Sequence, residues 1–149
     1  SSTRNSAIKY GFLKHRLGSD IVYDVTESVA LEGNSGPYLQ YAHARACSIL
    51  AKAELKDESA QTDLDENERS LARKVSEYPE VIEKSANELM PHHVCSYLYE
   101  LAQVFNSFYE KSRIIGDQRQ TIRLNLVKSY SQVLKSGLNI LNIQAPERM

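Results

Sequence analysis

The chain has 149 residues, 42% hydrophobic, 25% charged and 8% aromatic, which describes one ordinary globular domain and excludes a disordered chain. No apolar run approaches the roughly 18 residues of a membrane span, and no charged-then-apolar leader opens the sequence. Two cysteines, Cys47 and Cys95, are too few for a disulfide scaffold, so free thiols in a reducing cytoplasm are expected. The formal net charge of −1 conceals a cancellation: residues 1–56 carry seven Lys/Arg against five Asp/Glu, residues 57–110 four against twelve, and residues 111–149 seven against two. An acidic middle and a basic end predict a dipolar surface with one face attractive to phosphates. The plainer alternative is that these are the solvated faces of helices.

Only six Gly and four Pro punctuate the chain, and the apolar period is helical nearly throughout. A first helix is predicted from about Ser6 to Leu17, with Ile8, Phe12 and Leu13 on its apolar side and Gly18 as its stop. Ile21-Val22-Tyr23 reads as a short extended run. Asp24 can cap a short helix through Leu31, with Glu27 at the capping-box position. The turn Glu32-Gly33-Asn34-Ser35-Gly36-Pro37 opens a helix to about Leu55, since Pro suits a first helical turn. Leu39, Ala42, Ala46 and Ile49 form its buried stripe, while Gln40, His43 and Cys47 share a second face and Tyr41, Arg45 and Ser48 a third.

Residues 56–68 carry six acidic groups and almost nothing apolar, and are assigned to a loop. A helix follows from about Asn67 to Glu77; Pro79 breaks it and starts another bearing Val81, Ile82, Ala86 and Leu89. Pro91 repeats the device before a helix with Val94, Leu98, Leu101, Phe105 and Phe108 at helical spacing. The last helix, from about Asp117 to Asn142, carries Ile122, Leu126, Tyr130, Val133, Leu134, Leu138 and Leu141, with Gly137 permitting a close helix contact. No solenoid-period repeat and no strand-length alternation is present. The fold class is all-α, a helical bundle joined mostly by short turns.

Catalytic motifs fail one by one. Gly33 and Gly36 precede a helix, but no Lys-Ser/Thr pair follows as in a phosphate loop, and there is no Gly-x-Ser-x-Gly elbow. Pro91-His92-His93-Val94-Cys95 is a tempting metal cluster. Adjacent helical histidines point about 100° apart, however, so a role for His93 at the helix start is favoured over a metal site.

The segment Glu32–Arg45, EGNSGPYLQYAHAR, closely resembles the opening of the DALR-type anticodon-binding domain of arginyl-tRNA synthetases, the helical domain of a class I aminoacyl-tRNA synthetase. Three further stretches match in order. Pro79-Glu80-Val81 with Leu71, Val75 and Tyr78 is similar to the family's helix turn; Tyr97-Leu98-Tyr99-Glu100-Leu101-Ala102 followed by Phe105-Asn106-Ser107-Phe108-Tyr109 is similar to its aromatic helix; and residues 133–149, ending Pro146-Glu147-Arg148-Met149, resemble its C-terminal signature. The resemblance covers the chain from about Ala7 onward, whereas residues 1–6 align poorly with the family's usual glycine-containing approach.

What the resemblance implies is a cytoplasmic, monomeric ligase of protein biosynthesis that joins arginine to its tRNA with ATP and Mg. The His-x-Gly-His and Lys-Met-Ser-Lys-Ser-like motifs of its catalytic domain are absent here, so these residues alone are expected to be inactive in aminoacylation, to need no cofactor and to hold no metal. Residues 1–31 are assigned to a helical tail leaving the catalytic domain, and residues 32–149 to the anticodon-binding domain. The implied partners are tRNA-Arg and the protein's own catalytic domain, with no membrane.

Anticodon loops are read by stacking bases on aromatic faces and hydrogen-bonding their edges, and the family places this work, by motif, on Tyr38, Gln40, Tyr41, His43, Arg45, Asn106, Tyr109, Arg148 and Met149. At Met149 the terminal carboxylate repels phosphate, so its side chain or nearby backbone is the expected contact. Phe105 and Phe108 share the stripe of Leu98 and Leu101 and belong to the core, and Tyr41 with Arg45 could equally be a surface pair. Lys111, Arg113, Arg119, Arg123, Lys128 and Lys135 are assigned to nonspecific phosphate attraction. The alternative from another class is a helical protein-interaction module without RNA specificity.

Overall fold

In the computed structural model, residues 1–54 and 63–149 are described, and among them the chain forms seven helices and no strand: α1 (Ser2–Leu13), α2 (Val25–Val29), α3 (Gly36–Leu50), α4 (Glu66–Ser76), α5 (Tyr78–Glu88), α6 (His92–Lys111) and α7 (Gln120–Ile140). Residues 56–62 of the predicted acidic loop, and Leu55 at the predicted end of the helix before it, lie outside the described residues.

The two longest helices form the centre. Leu98, Leu101 and Phe105 of α6 and Leu124, Val127, Tyr130, Leu134 and Leu138 of α7 are all buried. Phe105 stacks on Tyr130 with ring centroids 4.1 Å apart and planes 7° from parallel, an offset-stack geometry that adds to area burial. Gly137 makes this crossing possible, because a Cβ there would lie 2.6 Å from Leu98 Cδ2. The predicted α6 stripe is buried at every position. On α7 the buried row instead runs through Leu124 and Val127, leaving Ile122, Leu126 and Val133 half-exposed. α7 is held from two sides, by α6 and by α3 and α4, so its buried face is broader than one stripe.

Helix α3 packs on α7 and α1. Ser35 is its N-cap, its side chain accepting from the Tyr38 amide at 3.1 Å, and Leu39, Ala42, Ala46 and Ile49 are buried as the spacing predicts. The close approach of α1 is set by small residues: a Cβ at Gly36 would run into the Ser6 carbonyl, and the buried face of α1 is Ser6, Ala7, Tyr10 and Gly11. This overturns the expected apolar side. Ile8 and Phe12 point outward, 45% and 50% exposed, with Phe12 stacked on Tyr23 at 5.4 Å. Short-range contact puts Ser6, Ala7 and Gly11 inward, and the one large buried side chain, Tyr10, reaches past them to donate to the Cys95 carbonyl at 3.0 Å. Glu27 does not close a capping box either; Asp24 accepts from the Glu27 amide at 2.9 Å, while the Glu27 carboxylate pairs with Lys14 at 2.6 Å.

A capping box forms instead at α4, where Asp65 accepts from the Glu68 amide and the Glu68 carboxylate accepts from the Asp65 amide. Residues assigned to a loop therefore begin a helix. Glu68 is fully buried and also accepts from Arg119 at 2.5 and 2.7 Å and from Arg123 at 2.9 Å. Arg123, 8% exposed, reaches Asp65, Asp117 and the Arg113 carbonyl as well. Arg119 and Arg123 are thus structural partners of the acidic stretch and not free phosphate-attracting charges, a correction that follows from burial: a lone carboxylate cannot be desolvated without paired donors.

Helix α5 follows α4 with no intervening loop, and Leu89 closes it in the left-handed region. None of its residues is fully buried. Helix α7 ends on a Schellman turn: Asn142 takes φ 55°, its amide donates to the Asn139 carbonyl, and the Ile143 amide donates to the Leu138 carbonyl at 2.8 Å. Ile143 and Leu138 are both buried, the apolar contact that usually accompanies this turn. The chain is thereby redirected over α3.

Two predictions follow from packing and charge. Gly36→Ala is expected to cost about 2–3 kcal/mol of stability and Gly137→Ala less, because backbone blocks the first and a leucine side chain the second; urea denaturation of both variants checks the order. The Arg119 hydrogen bond, with help from Arg123 and the Asp65 amide and against the opposing effect of burial, lowers the Glu68 pKa from 4.5 to about 2. A carboxylate lowered on folding contributes its stability in full above pH 4.5 and loses it as pH falls toward 2. Glu68→Gln should cost about 3 kcal/mol at pH 7, and its gap from wild type should close between pH 4.5 and 2 in urea titrations.

Candidate nucleic-acid interface

The tail after α7 lies across the second face of α3. Gln40 Nε2 donates to the Gln144 carbonyl at 2.7 Å and to Ser2 Oγ at 3.0 Å, while Gln40 Oε1 accepts from Ser6 Oγ at 2.7 Å. His43 Nδ1 lies 2.8 Å from the Pro146 carbonyl; a carbonyl only accepts, so Nδ1 carries the proton. Gln40 and His43 are 1% and 2% exposed. The structure therefore places these two sequence-assigned residues inside, with their polar atoms engaged. A face carrying glutamine and histidine can be buried when the chain returns to hydrogen-bond it.

Between this tail, the third face of α3 and the end of α6 runs a groove of about 680 Å³. Tyr41, Arg45, Ser48 and Lys52 line one side, Tyr109 the end of α6, and Glu147, Arg148 and Met149 the tail. Tyr41, Tyr109 and Met149 are exposed. The Arg45 guanidinium lies over one face of the Tyr109 ring, 4.2 Å from its centroid, which fixes a cation against an exposed tyrosine at the groove. Of the nine sequence-assigned residues, Tyr41, Arg45, Tyr109, Arg148 and Met149 meet in this groove. Tyr38 and Asn106 do not line it and are joined to each other: Asn106 Nδ2 donates to the Tyr38 hydroxyl at 2.8 Å. Burial raises the Tyr38 pKa, partly offset by that hydrogen bond, so Tyr38 stays a neutral phenol.

Sequence reasoning missed Lys52 as a groove residue. It continues the spacing Tyr41, Arg45, Ser48 by four more positions, so the face already singled out on α3 pointed to it. Cys47 also lines the groove; burial, with Glu147 nearby, raises its thiol pKa. Lys111, Arg113, Lys128 and Lys135 are exposed. At the other end of α6, His93 Nε2 pairs with Glu88 at 2.6 Å and Cys95 lies in the core with its thiol pKa pushed up to about 12 by burial. Among the described residues no group of three His, Cys, Asp or Glu is placed to hold a metal ion, and no helix is long and apolar enough to cross a membrane.

Residues 39–149 match the family pattern of the DALR anticodon binding domain. The chain belongs to the DALR anticodon-binding domain family. This DALR chain is 39% identical over 150 residues to an arginine–tRNA ligase of Vibrio parahaemolyticus, covering 97% of this chain and 26% of that protein. Among solved structures it is similar to the Thermus thermophilus arginyl-tRNA synthetase, with TM-score 0.91, 34% identity, and coverage of 99% of this chain and 27% of that one. It is likewise similar to the Plasmodium falciparum arginyl-tRNA synthetase, with TM-score 0.91, 26% identity and the same coverage. The DALR chain thus spans about a quarter of the length of the curated relatives it matches.

Replacing Arg45 by Met keeps the aliphatic stem over Tyr109 and removes the charge. The loss should be about 0.5–1 kcal/mol, the size of an exposed cation–π pair, seen as a small fall in Tm.

Proposed function

We propose that the groove between α3, the end of α6 and the tail receives the anticodon stem and loop of tRNA-Arg. The observation that carries this reading is the convergence of two exposed tyrosines, Tyr41 and Tyr109, with Arg45, Lys52 and Arg148 around one open groove. Aromatic faces suit unstacked loop bases and the cations suit their phosphates. Lys111, Arg113, Lys128 and Lys135 add attraction that orients without specifying sequence. In this reading the protein is the anticodon-binding part of a cytoplasmic, monomeric arginine–tRNA ligase. ATP- and Mg-dependent arginylation would belong to its catalytic domain, since this sequence carries neither adenylation motif.

One observation favours a protein contact as well. Ile8, Phe12, Val22, Val25, Val29 and Leu31 are exposed apolar side chains clustered in the first 31 residues, and exposed patches of this kind mark interfaces. We assign these exposed apolar side chains to contact with the catalytic domain of the full-length protein, which leaves the groove free for RNA.

The test is the affinity of the chain for a tRNA-Arg anticodon hairpin and for an unrelated hairpin across a salt series. Expected are a preference for tRNA-Arg and affinity falling with salt, by a log–log slope of about 0.7 per single-strand phosphate neutralised. Tyr109→Ala should weaken binding by about 1–3 kcal/mol if one base stacks there. Equal affinity for both hairpins at low salt sinks the specific reading.

A further inference from the structure

Glu147, Arg148 and Met149 are exposed, and among the described residues no hydrogen bond or ion pair holds their side chains. What fixes their path lies upstream and out of the groove. Gln40 and His43 sit one turn apart on α3, and each donates to a tail carbonyl, those of Gln144 and Pro146. Helix positions i and i+3 lie about 5–6 Å apart, close to the advance of two residues in an extended chain. One ridge of α3 therefore reads the alternate carbonyls of an extended tail. Pro146 stiffens the path further, having a fixed φ and restricting Ala145 before it.

We infer that Gln40 and His43 are positioning residues, which act on the bound molecule through the tail by placing Arg148 and Met149 on the groove wall, and do not touch it themselves. The inference rests on the anticodon-loop reading of the groove. Both side chains are buried with their donors occupied, so neither offers a base an open polar atom. Cys47 Sγ lies about equally far from both ring nitrogens of His43, 3.9 Å from Nδ1 and 3.8 Å from Nε2, so the 2.8 Å contact of Nδ1 with the Pro146 carbonyl is the short one that sets the ring.

The experiment uses the 149-residue chain, a synthetic tRNA-Arg anticodon hairpin as probe, and backbone 15N order parameters. His43→Leu removes the donor, His43→Asn keeps a donor near the Nδ1 position, and Gln40→Met removes the donor at the other carbonyl. His43→Leu and Arg148→Ala should each weaken binding about tenfold, the loss of one charge-assisted contact. The double variant should be no worse than either single one, and His43→Asn should recover most of the loss. Tyr109→Ala should cost the same in wild type and in His43→Leu.

Order parameters of residues 147–149 should fall in His43→Leu and Gln40→Met while those of α6 do not. Unchanged order parameters, or losses from His43→Leu and Arg148→Ala that multiply, overturn the inference. Should wild type bind no hairpin, the reading of the groove falls. The tail anchor then stands or falls on the order parameters alone, with Gln40→Met deciding it if His43→Leu does not fold.

Discussion

The Schellman turn at Asn142 and the two hydrogen bonds that follow it fix how the chain returns over α3 and so where the groove lies. They turn the chain back over α3 after α7 and bury Ile143 beneath the turn. With α1, α7 and the tail all packed on it, α3 is covered on most sides. Arg45 is the only Lys, Arg, Asp or Glu in its fifteen residues. That single charge lies over Tyr109 at the edge of the one strip left open. The groove lies between this open strip of α3, the end of α6 and the tail, whose Glu147, Arg148 and Met149 form its other wall.

At the opposite end the same chain solves a different problem. The acidic stretch entering α4 and the basic stretch entering α7 meet at Glu68, which two guanidiniums and the Asp65 amide satisfy inside the protein. This network replaces apolar packing where α4 crosses the start of α7. Its strength lies in the pairing of Glu68, whose two oxygens both accept from guanidiniums, so removing those donors leaves a buried charge. It also buries Arg123 and engages the partly buried Arg119, so the charge offered to a nucleic acid comes from fewer residues, mainly Arg45, Lys52 and Arg148 around the groove and the exposed Lys111, Arg113, Lys128 and Lys135 beyond it.

Close helix approach is the third element. Gly36 against Ser6 and Gly137 against Leu98 let α1 and α6 reach distances that a methyl group would forbid. On α1, Ser6, Ala7 and Gly11 face inward with Tyr10, while Ile8 and Phe12 face outward. A helix with that inversion is suited to carry a second contact on its outer side.

The sequence by itself determined the helical class, the buried rows Leu39–Ala42–Ala46–Ile49 and Val94–Leu98–Leu101–Phe105–Phe108, the proline breaks before α5 and α6, and the close contact at Gly137. Each depends on local spacing or on one residue's backbone, and is legible one helix at a time. Tyr41, Arg45 and Ser48 were legible as one face for the same reason. Only the tertiary structure decided that Gln40 and His43 turn inward, that Glu68 is buried with Arg119 and Arg123, and that Ile8 and Phe12 turn outward. Those outcomes depend on partners up to 104 residues away along the chain, and whether a polar side chain is buried is set by what arrives to bond it, which no local pattern records.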